Sequence, residues 1–256
     1  MSQTKNNLLL SIPQSLGSFL YLILVTVVSA LAVYFPLFVA LPILILIPVV
    51  LVFFKGDAFE KIKLVTLTLG RIVVVLACVH FISPEFIFIA IIWLLRINIF
   101  EATMKDLINK RYFNMVTGIA LIVSTWAINL GWNGTYYTVL PAAVIFWILA
   151  YTIWNWNFVY GQFSRAISLF HVLVLSSPLI FILAVHNPTL WLIARGNSLT
   201  FAAITQIGFK QQVTGYFTNK RFEKVTKIVA DTRVQAGIMA LNLTFIVAFL
   251  ILTNYL

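Results

Sequence analysis

The stretch Pro36-Leu37-Phe38-Val39-Ala40-Leu41-Pro42-Ile43-Leu44-Ile45-Leu46-Ile47-Pro48-Val49-Val50-Leu51-Val52-Phe53-Phe54 contains no polar side chain, and its reading decides the fold. A helix needs about 20 apolar residues to cross the hydrocarbon of a bilayer. This run supplies them and stops at the charged loop Lys55–Lys63. A second such run, about Leu16–Tyr34, precedes it, and Phe35-Pro36 leaves room only for a tight turn between the two.

Working outward, seven more runs follow: about Leu64–Ile82, Glu85–Phe100, Phe113–Leu130, Tyr137–Trp154, Ile167–Val185, Leu190–Phe209 and Gln235–Tyr255. Ser83-Pro84, Gly131–Thr135 and His186-Asn187-Pro188 read as turns, and Arg195-Gly196-Asn197 as an interruption of the eighth run. Of 256 residues, 62% are hydrophobic and 9% charged, whereas soluble domains are about a quarter charged. A β-barrel would show alternating segments of about ten residues, and these runs are about twice that. The expectation is an all-α polytopic membrane protein of about nine transmembrane helices.

The net charge is +10, but the cations lie in short loops, a pattern that membrane orientation produces. No nucleic-acid partner is expected; the bilayer is. With a cytoplasmic N-terminus, Lys55–Lys63, Glu101–Arg111, Trp154–Ala166 and Lys210–Arg233 all face the cytoplasm. The opposite loops, around Phe35, Ser83, Gly131–Thr135 and His186–Pro188, hold no Lys or Arg. Only Lys5 precedes the first run as an early cation, and no small-residue cleavage site follows it, so a retained first helix is expected. In Lys210–Arg233, Phe222, Val225 and Val229 share one helical face. That segment reads as a basic amphipathic helix on the anionic inner leaflet, or as a docking site for a partner protein. Asn133-Gly134-Thr135 matches a glycosylation acceptor, in a loop too short to favour it.

Trp154-Asn155-Trp156-Asn157-Phe158-Val159-Tyr160, continuing to Gly161, Gln162 and Arg165, gathers amides and large rings in an otherwise aliphatic chain. Rings with polar tips suit a membrane boundary, and amides in hydrocarbon need partners. Two readings follow: an aromatic belt, or the polar floor of a ligand site. The string Thr152–Tyr160 resembles one in an uncharacterised family of bacterial integral-membrane proteins. That resemblance implies a bacterial inner membrane and brings no activity.

Self-comparison points to a duplication. His80, Pro84, Trp93, Arg96 and Asn98 recur in order as His186, Pro188, Trp191, Arg195 and Asn197; Ala40-Leu41-Pro42 parallels Val139-Leu140-Pro141, and Gly118-Ile119 parallels Gly237-Ile238. The halves would be 36–130 and 136–256, with 1–35 a separate N-terminal helix and 210–233 the basic segment. Four helices in each half make the repeats parallel, an arrangement known among transporters. A competing register aligns Arg71 with Arg165 and Ser83-Pro84 with Ser177-Pro178.

A charge within a span needs a partner or a water cavity, which makes Arg96 and Arg195 candidates together with Asn98 and Asn197. For Arg96, a structural ion pair or snorkelling is the competing role; for His171, that of a satisfied core histidine. Asn155, Asn157 and His171 complete the candidate substrate-binding set. No histidine cluster, His-Glu-x-x-His pattern, glycine-rich phosphate loop or paired aspartates occur, so no metal or cofactor is expected. Cys78 is the one cysteine. Aromatic walls, amides and one or two arginines suit a neutral or anionic organic solute. The expected function is a secondary transporter or permease for one. The alternatives are an intramembrane enzyme on a lipid-like substrate with His171 as base, and a non-catalytic scaffold.

Overall fold

A computed structural model describes residues 13–141, 143–162, 165–217 and 221–255; Lys5 and Lys220 lie outside them. Within these residues the chain is all-α apart from one hairpin. The elements are α1 (Gln14–Tyr34), α2 (Pro36–Phe54), α3 (Ala58–Cys78), α4 (Pro84–Ile108), α5 (Tyr112–Ser124), β1 (Asn129–Trp132), β2 (Tyr137–Leu140), α6 (Val144–Gln162), α7 (Arg165–Ala184), α8 (Trp191–Gly208), α9 (Lys210–Phe217), α10 (Arg221–Ala230) and α11 (Thr232–Tyr255). Among the described residues, α1, α2, α4 and Thr232–Thr253 of α11 are long and apolar enough to cross a membrane; Tyr112–Ala127 and Ser168–Ala184 are shorter apolar helices.

Polar residues at the turns set the helix ends. Asp57 caps α3 in a reciprocal box, accepting from Glu60 N (2.9 Å) while its own N–H donates to Glu60 Oε2 (3.1 Å). α3 therefore starts before the expected Leu64, and α4 runs on past Phe100 through Glu101 and Lys105, which pair one turn apart at 2.7 Å. α3, α4 and α7 end on His80, Lys110 and His186 in left-handed backbone (φ 59°, 58° and 52°), each closing a C-terminal hydrogen-bonded turn. In α2, Pro42 cannot donate an i→i−4 bond, and Pro36–Leu46 adopts a wider, π-type winding.

The sixth run is displaced from its expected place. Tyr137–Leu140 pairs antiparallel with Asn129–Trp132, and α6 occupies Val144–Gln162. Asn133 builds the connecting turn: its Oδ1 accepts from Thr135 N (3.0 Å) and Tyr136 N (2.9 Å), while Gly134 takes φ +94°. Trp154–Tyr160 is thus helix interior rather than the start of a loop. α6 is the hub of the bundle, packed on α5, α7 and α11. Its Trp147, Tyr151 and Trp154 stack on one another and against Trp191 of α8.

Lys210–Arg233 holds two helices, α9 and α10, instead of one. The paired features of the two halves differ in position. Pro42 lies inside α2 whereas Pro141 precedes α6, and α5 packs chiefly on α4 and α11 while α11 packs chiefly on α6 and α5.

Candidate functional site

Between α3, α4, α6, α7 and α8 lies a cavity of two connected chambers, about 260 and 290 Å³. Lys63, Asn98, Glu101 and Arg195 line both, so they form one continuous space. The upper chamber adds Arg71, Tyr137 and Tyr151 to an aliphatic wall from α3, α4 and α8. The lower one adds Asn155, His171 and Gln206 and reaches Asp57, Glu60 and Lys105 at the charged end of the bundle. The opposite end is covered by the β1–β2 hairpin. Tyr137 is 1% exposed, the Tyr136 ring packs edge-on against Tyr34, and the Cys78 thiol donates to Thr135 O (3.0 Å).

Arg195 is the centre of this space. It is 5% exposed, and its Nε and Nη1 have no hydrogen-bond partner among the described residues. The Tyr151 hydroxyl lies against it. Arg71, 6% exposed, crosses from α3 to α8, where its Nη1 donates to Asn197 Oδ1 (2.6 Å) and Ile193 O (3.3 Å); its Nε is unpartnered. The ion pairs among the described residues are Lys105–Glu101, Arg111–Asp106, and Lys210 with Asp57 and Glu60. Neither buried guanidinium belongs to one. A guanidinium withdrawn from water without an anion costs several kcal/mol, so the cavity is electrostatically unfinished.

Gly196 makes this arrangement possible. A Cβ there would run into the Arg71 guanidinium. α8 is continuous from Trp191 to Gly208, so the expected break at Arg195-Gly196-Asn197 is corrected: the glycine makes room for a crossing arginine. Gly196→Ala is expected to displace Arg71 and to cost about 1–3 kcal/mol, read as a lower unfolding midpoint of the purified protein.

The candidates read from sequence divide by helix face. Asn98, Asn155, His171 and Arg195 line the cavity. Asn197 lies behind Arg71, accepting from it and donating to Ser29 O (3.1 Å). Arg96 faces elsewhere. It stacks over Trp126 at 3.7 Å, lies 5.1 Å from Trp93, and donates to Thr125 Oγ1 (2.8 Å), with both rings more than half exposed.

Asn157 belongs to a buried network that ties α6 to the α4–α5 turn. Its Nδ2 donates to Asn114 Oδ1 (2.9 Å) and its Oδ1 accepts from Arg111 Nη2 (2.8 Å). Asn114 Nδ2 and Arg111 Nη1 both donate to Asp106, at 2.6 and 3.2 Å. Trp154 Nε1 donates to Asn114 O (2.9 Å). The Trp154–Tyr160 string thus has two jobs: Trp154 and Asn157 anchor, and Asn155 faces the cavity.

Arg71, Lys63 and Tyr151 were missed as site residues. Arg71 carried the same signal as Arg96, a charge within an apolar run, while Lys63 read as a loop cation. No family model, curated protein or solved structure matches the chain.

Proposed function

We propose that this chain is a nine-span protein of a bacterial cytoplasmic membrane, with its N-terminus inside, and that it is a permease or secondary transporter for small organic anions. One observation carries the reading: Arg195 is buried against a cavity, with two donors free and no carboxylate paired to it. Arg71 and Lys63 add positive charge to the same walls, opposed there by Glu101. A planar guanidinium with free donors suits a carboxylate or phosphate.

The proposed orientation puts the charged end of the cavity in the cytoplasm, following the distribution of Lys and Arg. Less apolar helices then have a physical role. α6 and α8 carry the amides and arginine because neighbouring helices shield them from lipid. His171 faces Lys63 and Arg195 rather than a carboxylate, and this favours solute binding over base catalysis.

Thermal unfolding of the purified full chain with a panel of small organic carboxylates and phosphates tests the reading. At least one anion is expected to raise the midpoint, and Arg195→Ala to weaken its binding about ten- to a hundredfold, the range for a lost charged hydrogen bond. Arg96→Ala is expected to leave the binding unchanged. Equal binding by the Arg195 variant and the wild type rejects the site.

A further inference from the structure

We infer that the anion this cavity takes is an amphiphile, a compact carboxylate or phosphate head on a single hydrocarbon chain, which enters sideways from the bilayer between α3 and α4. The inference rests on the anion-binding reading above and names the class of ligand.

The upper chamber is polar at one side only. Arg195, Arg71 and Tyr151 stand on the α8 and α6 side, and the wall leading away from them along α3 and α4 is aliphatic. That wall ends at the protein surface: Ile62 and Ile97, which belong to the chamber lining, are 66% and 54% exposed. In a spanning bundle these two residues meet lipid chains rather than water. A solute arriving from the cytoplasm has no need of such an exit, because the lower chamber already reaches Asp57, Glu60 and Lys105.

Gly70 sits at the narrowest point of the α3–α4 cleft, one residue before Arg71. A Cβ there would approach only the Leu94 Cδ1, at 3.3 Å. The slot between the helices is therefore closed by one flexible side-chain end, and movement of Leu94 opens it. A head group held by Arg195 and Arg71 would lead its chain out past Gly70 and Leu94. The fixed cations neutralise the head, and the aliphatic wall accepts methylenes at the usual gain for apolar burial. A short hydrophilic anion would satisfy the arginines and leave the wall wet. An uncharged chain would fill the wall and leave the arginines unpaired, so the amphiphile is the class that satisfies both.

Equilibrium binding of radiolabelled butyrate, octanoate and dodecanoate, with dodecyl phosphate and dodecanol alongside, tests this on the full chain in neutral phosphatidylcholine nanodiscs. Uptake by empty nanodiscs is subtracted. Affinity is expected to rise about tenfold for every two or three methylenes that enter the chamber. Dodecyl phosphate should bind with dodecanoate, dodecanol should bind at least a hundredfold more weakly, and Arg195→Gln should abolish the difference between them. Gly70→Leu fills the slot and should reduce dodecanoate binding to the butyrate level, leaving butyrate unaffected. Leu94→Phe serves the same purpose if the glycine variant does not fold. Butyrate binding as tightly as dodecanoate, with both dependent on Arg195, overturns the amphiphile and leaves the anion site standing. Binding of every probe without regard to Arg195 overturns both.

Discussion

Replacing Asp106 by alanine is expected to cost about 3–5 kcal/mol of stability, the penalty for stranding one member of a buried ion pair. Asp106 is fully buried and receives hydrogen bonds from Arg111 (3.2 Å), Asn114 (2.6 Å) and Gln162 (3.5 Å). Arg111 is only 11% exposed at its side chain, so removing the carboxylate leaves a guanidinium with backbone carbonyls and one amide as its remaining acceptors. Asp106→Asn keeps one acceptor and the volume, and should lose roughly half as much. Denaturant titration of the purified protein gives the numbers. A loss below about 1 kcal/mol for the alanine variant, the worth of an exposed pair, would show that the network does not hold α4, α5 and α6 together.

Trp154→Ala should have a similar effect by a different route. The ring is 0% exposed and packs between Tyr151 and Phe158. Removing an aromatic ring of this size from a core costs about 3–5 kcal/mol, and Asn114 O loses its indole donor at the same time. Part of the loss is steric precision: Gly118 of α5 lacks a side chain where one would press on Thr103 and the Trp154 ring. Trp154→Phe keeps most of the packing without the N–H, so its loss should fall near 1 kcal/mol for the unmade hydrogen bond plus a smaller cavity term. The split between the two variants separates ring volume from hydrogen bonding.

Helix positions were legible because uninterrupted apolar runs and turn residues such as Pro36, Ser83-Pro84 and Pro188 leave few other arrangements. Helix ends were not, since apolarity marks the part of a helix that matches hydrocarbon and says nothing of a capped extension such as Asp57–Glu60. Helix rotation was the larger gap. When both the lipid side and the core side of a helix are apolar, the sequence carries no stripe to say which face points inward. Arg96 and Arg195 therefore looked equivalent, yet one stacks on exposed rings and the other fills a buried cavity. Asn155 and Asn157, two positions apart and about 200° around the helix, went to opposite tasks for the same reason. The hairpin was hidden by a mistaken boundary: Asn133-Gly134 is a turn signal between two short runs of β-formers.

The two ends of the cavity are built from unlike materials. Around the hairpin, closure depends on rings and backbone, with Tyr34 against Tyr136 and Cys78 against Thr135. At the charged end it is a fringe of long side chains. Lys210 reaches Glu60 at 2.6 Å and Asp57 at 4.0 Å, Lys55 donates to Gly208 O at 2.8 Å, and Glu60 keeps the Lys210 ammonium above its ordinary pKa. Exposed ion contacts of this kind are worth little and weaken with salt. One end is thus a hinged cover that must move as a unit, and the other a curtain that parts one side chain at a time. Traffic through the curtain should respond to ionic strength, and traffic past the cover to temperature.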